Sequence, residues 1–403
     1  MSNLNKRNMV PLFILMLNLF IALLGQGMLI PILPDYLKQF NAAGTAAGYL
    51  VAAFGAAQFI FSPIGGRLSD KHGRRIMILS GLFLTVISDF IFAISHTLLL
   101  LYIARVIGGI GIGIMVPSVL AYVADITTKE TRAKGMGYLS AAMNLGIVLG
   151  PGLGGIIAQL GIRMPYFVAS GLSFVATLLT FMLPETLPLE KRSISKSSEK
   201  QESIVTQLIE SVHKPYFNHL LLILVMTFGL VGFETVYSLF VVGKYGFTSK
   251  DISILITIGA TIGIIVQIGL IDKAIKHFGE YNLIKFSLLM SGIALLLMLV
   301  KVNFIYLIAV SSVFFAFNSF LRPTVTTLLS NEAGSGEQGF VSGLNTTYTS
   351  MGNIVGPLMA GSLFDKQINL PYIMSAFILF CTIFLAKQPK TKKIYKTEVT
   401  ENE

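Results

Sequence analysis

The sequence predicts an all-α membrane protein made of two related six-helix halves, and three observations predict it. Only 12% of the 403 residues are charged and 54% are hydrophobic, with a mean hydropathy of +0.74. Soluble domains carry about 25% charged residues. The apolar residues fall into long runs, each near the roughly 20 that cross a bilayer. Finally, Gly137, Gly146, Gly150, Pro151, Gly154 and Gly155 recur 206 positions later as Gly343, Gly352, Gly356, Pro357, Ala360 and Gly361. Small residues at such spacing form a flat stripe on a helix, where another backbone can approach closely. Gly73 with Gly279 and Pro117 with Pro323 share the offset. A duplicated, glycine-striped bundle is the pattern of a carrier working by alternating access.

Twelve spans follow in order. The first, 9–33, comes after Lys6 and Arg7 and is too long for a signal-peptide core. Span 44–67 runs from Gly44 to Gly66-Arg67, span 76–95 follows Arg74-Arg75 and ends at Ser95, and span 98–123 stops short of Asp125. Lys129 to Lys134 precede span 135–160, and Gly161-Ile162-Arg163 separates it from span 164–184. The second half repeats the rhythm at 217–241, 251–272, 281–301, 304–329, 339–364 and 370–387.

Charge sets the orientation. With the N-terminus inside, 21 of the 30 Lys and Arg fall on inner segments, 6 on outer segments and three (Arg105, Lys285 and Arg322) within spans. That bias predicts cytoplasmic N- and C-termini. The resulting plan is an N-terminal six-helix half at 1–184, a cytoplasmic linker at 185–216, a C-terminal half at 217–387 and a cytoplasmic tail at 388–403. The linker is rich in serine and charge and has room for one amphipathic helix along the inner surface. Six spans per half mean parallel repeats.

Several function classes drop out. The net charge of +10 is explained by the inner loops, so no nucleic-acid partner is expected. Cys381 is the only cysteine, which excludes an internal disulfide or a cysteine zinc site. Gly109-Ile110-Gly111-Ile112-Gly113 lies inside a span and follows no strand, so helix packing accounts for it. No Gly-x-x-x-x-Gly-Lys-Ser/Thr loop is present, so ATP is not the expected driving force. No cofactor or metal is expected, and the chain is expected to sit in the lipid bilayer as a monomer.

The second-to-third connection reads Gly66-Arg67-Leu68-Ser69-Asp70-Lys71-His72-Gly73-Arg74-Arg75. Gly73 permits a turn with positive φ, and Asp70 is placed to pair with an arginine or to sit near a helix N-terminus. This run resembles the signature loop of the major facilitator superfamily. The stripe from Gly137 to Gly155 resembles the fifth-helix pattern of its proton-driven drug antiporters. Leu101-x-x-x-Arg105-x-x-Gly108-Gly109 is similar to their fourth-helix arginine motif, and Pro31-Ile32-Leu33-Pro34 to the end of helix one in the twelve-span group. Arg163-Met164-Pro165, Phe233-Glu234-Thr235, Asn345 and Thr349-Ser350-Met351-Gly352-Asn353 resemble the NorA/Bmr-like multidrug exporters. The resemblance covers nearly the whole chain. It implies twelve transmembrane helices in two pseudo-symmetric bundles of the major facilitator fold. It also implies proton-coupled export of hydrophobic and cationic drugs such as dyes and fluoroquinolone-like compounds. A carrier of an endogenous metabolite, sugar or lipid is the alternative, and a sensor or channel the more distant one.

Ionisable residues within spans are the candidates for chemistry, because charge there is costly. Glu234 lies about 17 residues into the seventh span, roughly 25 Å from its inner end. A carboxyl group among apolar neighbours can bind and release a proton in the physiological range, and among aromatic rings it suits lipophilic cations. The resemblance implicates it in proton coupling and substrate binding. Arg105 and Asp89 lie at similar depth in adjacent spans, where they either form a static pair or take part in coupling, the latter being what the resemblance favours for Arg105. Arg322, before Pro323, fits gating, anion binding or snorkelling. In NorA-like exporters a second carboxylate lies three residues before this arginine; here Ser319 stands there, beside Asn318. Glu234 then couples alone in its half, or Asp35 or Asp89 shares the task, although Asp35 also fits a solvated loop residue. Phe233, Phe314, Phe317, Gln58 and Asn144 complete the expected substrate pocket. Gly66, Asp70, Gly73, Arg74, Arg75 and the two glycine stripes, including Gly352, Gly356 and Pro357, are the expected conformational motifs, with both stripes marking moving seams.

Overall fold

The computed structural model describes residues 6–187, 204–301, 303–332 and 337–386. A helix occupies each of the twelve expected segments. In the first half these are α1 (Lys6–Lys38), α2 (Gly44–His72), α3 (Arg74–Ile94), α4 (Leu98–Ile126), α5 (Lys129–Ile157) and α6 (Met164–Thr180). A short helix, α7 (Ile204–Ser211), then precedes α8 (Phe217–Tyr245) and α9 (Ser249–Gly269). The remainder are α10 (Ile271–Phe278), α11 (Glu280–Leu297), α12 (Phe304–Glu332), α13 (Gln338–Lys366) and α14 (Leu370–Thr382). Among the described residues nine helices are long and apolar enough to cross a membrane, α6 and α14 are shorter apolar helices, and no strand is present. Large apolar side chains such as Phe13, Phe83, Leu178, Ile265 and Phe377 are exposed around the bundle, an arrangement suited to hydrocarbon rather than water.

Local chemistry sets several boundaries. Thr97 caps α4 by accepting a hydrogen bond from the Leu100 amide at 3.4 Å. Thr248 and Asp251 form a capping box that starts α9. Gly73 separates α2 from α3 with φ 110°, and its counterpart Gly279 separates α10 from α11 with φ 73°. Only glycine takes such angles without strain, so the duplicated glycines mark duplicated turns.

The expected amphipathic linker helix is α7; residues 188–203 of the linker and the tail 388–403 lie outside the described residues. Lys214, between α7 and α8, bonds Glu337 at 3.0 Å and Glu210 at 3.2 Å. Those hydrogen bonds push its ammonium up to about 12. The sequence reading did not separate α10, which carries Asp272, Lys273, Lys276 and His277 within eight residues.

The duplication is visible in the packing. α1 packs on α5, α2 on α4, and α3 on both α4 and α6; likewise α8 packs on α13, α9 on α12, and α11 on both α12 and α14. The halves meet along α2–α13 and α5–α9. Each stripe seals its own half. A Cβ added at Gly146, Gly150 or Gly154 would lie 2.5, 2.7 or 2.6 Å from the carbonyl oxygen of Phe20, Leu24 or Met28 on α1. At Gly352 and Gly356 it would lie 2.9 and 2.5 Å from the Leu224 and Phe228 carbonyls on α8. Most of each stripe therefore lies on a contact within its own half rather than on the line between the halves. Only the last glycine of each, one position round the helix, faces the other half: Gly155 against Ser253 of α9, and Gly361 against the Gly44 backbone of α2. Gly137 and Gly343 lie beyond both seams, with nothing within 4 Å of an added Cβ.

The halves are latched at the end of the bundle opposite the 66–75 loop. Asp365, near the end of α13, accepts hydrogen bonds from the Gly44 and Thr45 amides at 2.7 and 2.8 Å. It thus caps the N-terminus of a helix in the other half, where a carboxylate meets both free amides and the helix dipole. Asp35 accepts from Ser249 Oγ at 2.6 Å across the second seam, so it is more than a solvated loop residue. Replacing Gly361 by Leu, or Asp365 by Ala, is expected to disfavour this closed end. Spin labels at Lys38 and Lys250 in a Cys381→Ser background should show the longer-distance population growing in either variant.

Candidate functional site

Between the halves lie two cavities that share Gly55, Gln58 and Asn353 in their walls. The deeper one, about 360 Å³, is lined by Gln26, Gln58, Arg105, Glu234, Thr235, Ser238 and Asn353 among apolar neighbours. Both halves contribute to it. The larger, about 670 Å³, lies toward the 66–75 loop and includes Ser62, Arg67, Arg322, Asn345 and Ser350.

Glu234 is placed by α8 with its side chain in the deeper cavity. Among the described residues it has no ion pair within 4 Å and no hydrogen bond. Arg105, on α4, lines the same cavity. Its guanidinium lies 4.5 Å from the centre of the Phe54 ring, and Nε donates to the Leu50 carbonyl at 3.4 Å. Asp89 is near but does not form the static pair: among the described residues no Asp89–Arg105 salt bridge exists, and the buried Asp89 Oδ2 has no hydrogen-bond partner. The cavity thus holds a carboxyl group and a guanidinium that do not satisfy each other.

Helix geometry corrects part of the expected pocket. Successive residues turn about 100°, so with Glu234 in the cavity Phe233 points into the second-half core. There its ring centre lies 4.4 Å from that of Phe314 and 5.0 Å from that of Tyr237. Phe233 and Phe314 are each 1% exposed and line neither cavity. Phe317 is one turn on from Phe314, but three residues leave it about 60° out of line. It packs on Phe286 at 5.4 Å and lines a separate groove with Phe278 and Phe320. Asn144 is exposed and lies outside both cavities. So do Asn318 and Ser319, the latter returning its hydroxyl to the Ala316 carbonyl at 2.7 Å. Gln58 and Arg322 are where they were expected. Gln26, Arg67, Asn345, Ser350 and Asn353 were missed. Gln26 and Asn353 could have been found as amides deep in otherwise apolar spans.

The basic loop is a lock within one half. Arg74 pairs with Asp70 at 2.5 Å and with Asp125 at 3.3 Å. Glu185 accepts from the Arg74 and Arg75 amides at 2.9 and 3.1 Å, fastening the start of α3 to the end of α6. Arg75 donates to the Phe181 carbonyl at 2.6 Å. The alternatives for Asp70 therefore resolve toward arginine pairing, and it is Glu185 that serves the helix N-terminus. Gly66 stays within α2.

The model of the Major Facilitator Superfamily matches residues 15–357 and 270–401. The chain belongs to the Major Facilitator Superfamily. Multidrug resistance protein 2 of Bacillus subtilis (strain 168) is 41% identical over 381 residues, covering 94% of this chain and 95% of that protein. Quinolone resistance protein NorA of Staphylococcus aureus (strain COL) is 40% identical over 385 residues, covering 94% and 97%. Among solved structures, the nucleoside transporter NupG superimposes with a TM-score of 0.75 at 14% identity, covering 94% of this chain and 99% of that one. Fold and family agree: this is a multi-pass plasma-membrane transporter of the superfamily, not an enzyme. Among the described residues no group of three or more His, Cys, Asp or Glu is placed to hold a metal ion.

The two kinds of carboxylate separate experimentally. Glu185→Ala removes the acceptor at the start of α3, a loss of about 1–2 kcal/mol by analogy with helix caps. Purified protein should melt several degrees lower. Glu234→Gln, which breaks no bond present here, should leave the melting temperature within a degree or so of the parent.

Proposed function

We infer that the chain exports lipophilic, drug-like compounds in exchange for protons, by alternating access around the paired cavities. The observation that carries this reading is Glu234: one carboxyl group without a partner among the described residues, in a cavity walled by both halves. Such a group can hold a proton or face a cationic substrate, but a single carboxylate cannot serve both at once. That competition is the minimum requirement for exchange. Support comes from relatives named for multidrug and quinolone resistance that align over 94% of the chain.

The bias of basic residues puts the 66–75 loop in the cytoplasm. The latch of Asp35 and Asp365 is then external, and the larger cavity opens inward. Substrate enters there, from the cytoplasm or the inner leaflet, and reaches Glu234. The halves rock, the outer latch opens, and a proton from outside takes the carboxyl group and releases the substrate. Arg105 lines the same cavity as a fixed positive charge, held in place by Phe54 and the Leu50 carbonyl. Asp89, with Oδ2 unpartnered, is the second candidate acid and stands in for the carboxylate that Ser319 replaces. A unit charge crossing 100 mV supplies about 2.3 kcal/mol, enough to drive a useful gradient. Each cavity is complete within one chain, so the cycle needs a single copy.

In everted vesicles, Glu234→Gln should abolish ethidium efflux driven by a pH gradient while inserted protein stays at parental levels. Ethidium efflux by Glu234→Gln at the parental rate would remove Glu234 from the cycle.

A further inference from the structure

The inward cavity carries two cations that nothing among the described residues neutralises. Arg67 comes from α2 in the first half and Arg322 from α12 in the second, and both line the same space of about 670 Å³. No Asp or Glu lines it. Among the described residues neither guanidinium has a hydrogen bond, an ion pair or a ring contact. Five other arginines differ: Arg74 has Asp70 and Asp125, Arg75 has the Phe181 carbonyl, Arg105 has Phe54 and the Leu50 carbonyl, Arg132 has the Ala124 carbonyl, and Arg163 has the Ser95 carbonyl. Arg322 lies 18 residues into a 29-residue helix, too deep to be a loop charge. Like charges from opposite halves repel as the cavity closes, so inward closure with the space empty is opposed. Around them stand amide and hydroxyl donors, Gln58, Asn345, Ser350 and Asn353, which suit an anion's oxygens.

We propose that Arg67 and Arg322 form a site for the acidic group of an amphiphilic substrate, a carboxylate that bridges the two halves and permits the inward cavity to close. This rests on the export reading but deepens it: the acidic end of an exported compound has its own place, apart from Glu234. Guanidinium matches carboxylate through two parallel hydrogen bonds, and a site with one such fork on each half is completed only when the ligand is present. Since Gln58 and Asn353 also line the deeper cavity, a zwitterion meets the arginines at one end and Glu234 at the other.

The test uses a matched pair of dyes: rhodamine 110, which carries a free carboxylate, and rhodamine 123, its methyl ester. Binding to the purified full-length protein is followed by fluorescence anisotropy, and export by everted vesicles. The parent should bind rhodamine 110 at least as tightly as its ester. Arg67→Gln and Arg322→Gln should each weaken rhodamine 110 about tenfold or more and leave rhodamine 123 within about twofold. Arg322→Lys, which keeps the charge, should recover part of the loss. Benzoate should displace rhodamine 110 but not rhodamine 123. Equal effects on both dyes, or none on rhodamine 110, overturn the proposal. Displacement by phosphatidylglycerol and not by benzoate assigns the pair to a lipid headgroup and overturns it as well. If rhodamine 110 binds as described but neither dye is exported, the export reading fails and the acid site stands.

Discussion

A charge inside a membrane bundle must find a partner or face water, and most of this architecture follows from that constraint. Glu234, Arg67 and Arg322 have no ion pair among the described residues, so the space between the halves has to stay open to water at one end. The remaining surfaces can close only by backbone-to-backbone contact, which is the task of the glycine seams. Gly146, Gly150 and Gly154 hold α5 on α1, and Gly352 and Gly356 hold α13 on α8. Each half is thereby closely packed within itself. The proposed rocking then falls on the lines where α2 meets α13 and α5 meets α9.

Those lines carry few polar contacts among the described residues, and the ones present sit at one end. Asp365 on the amides of α2, and Asp35 on Ser249, join the halves there. At the other end the basic loop works within the first half, tying α2, α3, α4 and α6 together through Arg74, Arg75 and Glu185. A tight, reversible latch at one end and an internally braced opening at the other suit a two-state rocking element better than a fixed pore. Adjacent glycines face different ways: Gly154 meets Met28 of α1 within its own half, and Gly155 meets Ser253 of α9 in the other.

The fold was almost fully legible because hydropathy and duplication are one-dimensional signals. Every expected span holds a helix, and the repeated glycines recur as repeated contacts. Helix α10 escaped notice because most of it, with Lys273, Lys276 and His277, reads as a basic connection between the spans ending at 272 and starting at 281. The site was only half legible. Glu234, Arg105, Gln58 and Arg322 stood out because polar groups at depth are conspicuous. The aromatic expectation failed for a geometric reason: Phe233 and Phe314 are neighbours of the right residues but lie on the core side, and a rotation of about 60° sends Phe317 outward. Arg67 was hidden because a basic residue beside a cytoplasmic loop looks ordinary until its missing partner is seen.

If one carboxyl group receives proton and substrate in turn, substrate binding must displace the proton. The most direct measurement is proton release on substrate binding, in lightly buffered detergent solution, with a pH-sensitive dye as reporter. Adding ethidium to the parent protein should release protons, and the release should vanish in Glu234→Gln while surviving in Ser319→Ala. Undiminished release from Glu234→Gln would show that the exchanged proton resides elsewhere and would contradict the account.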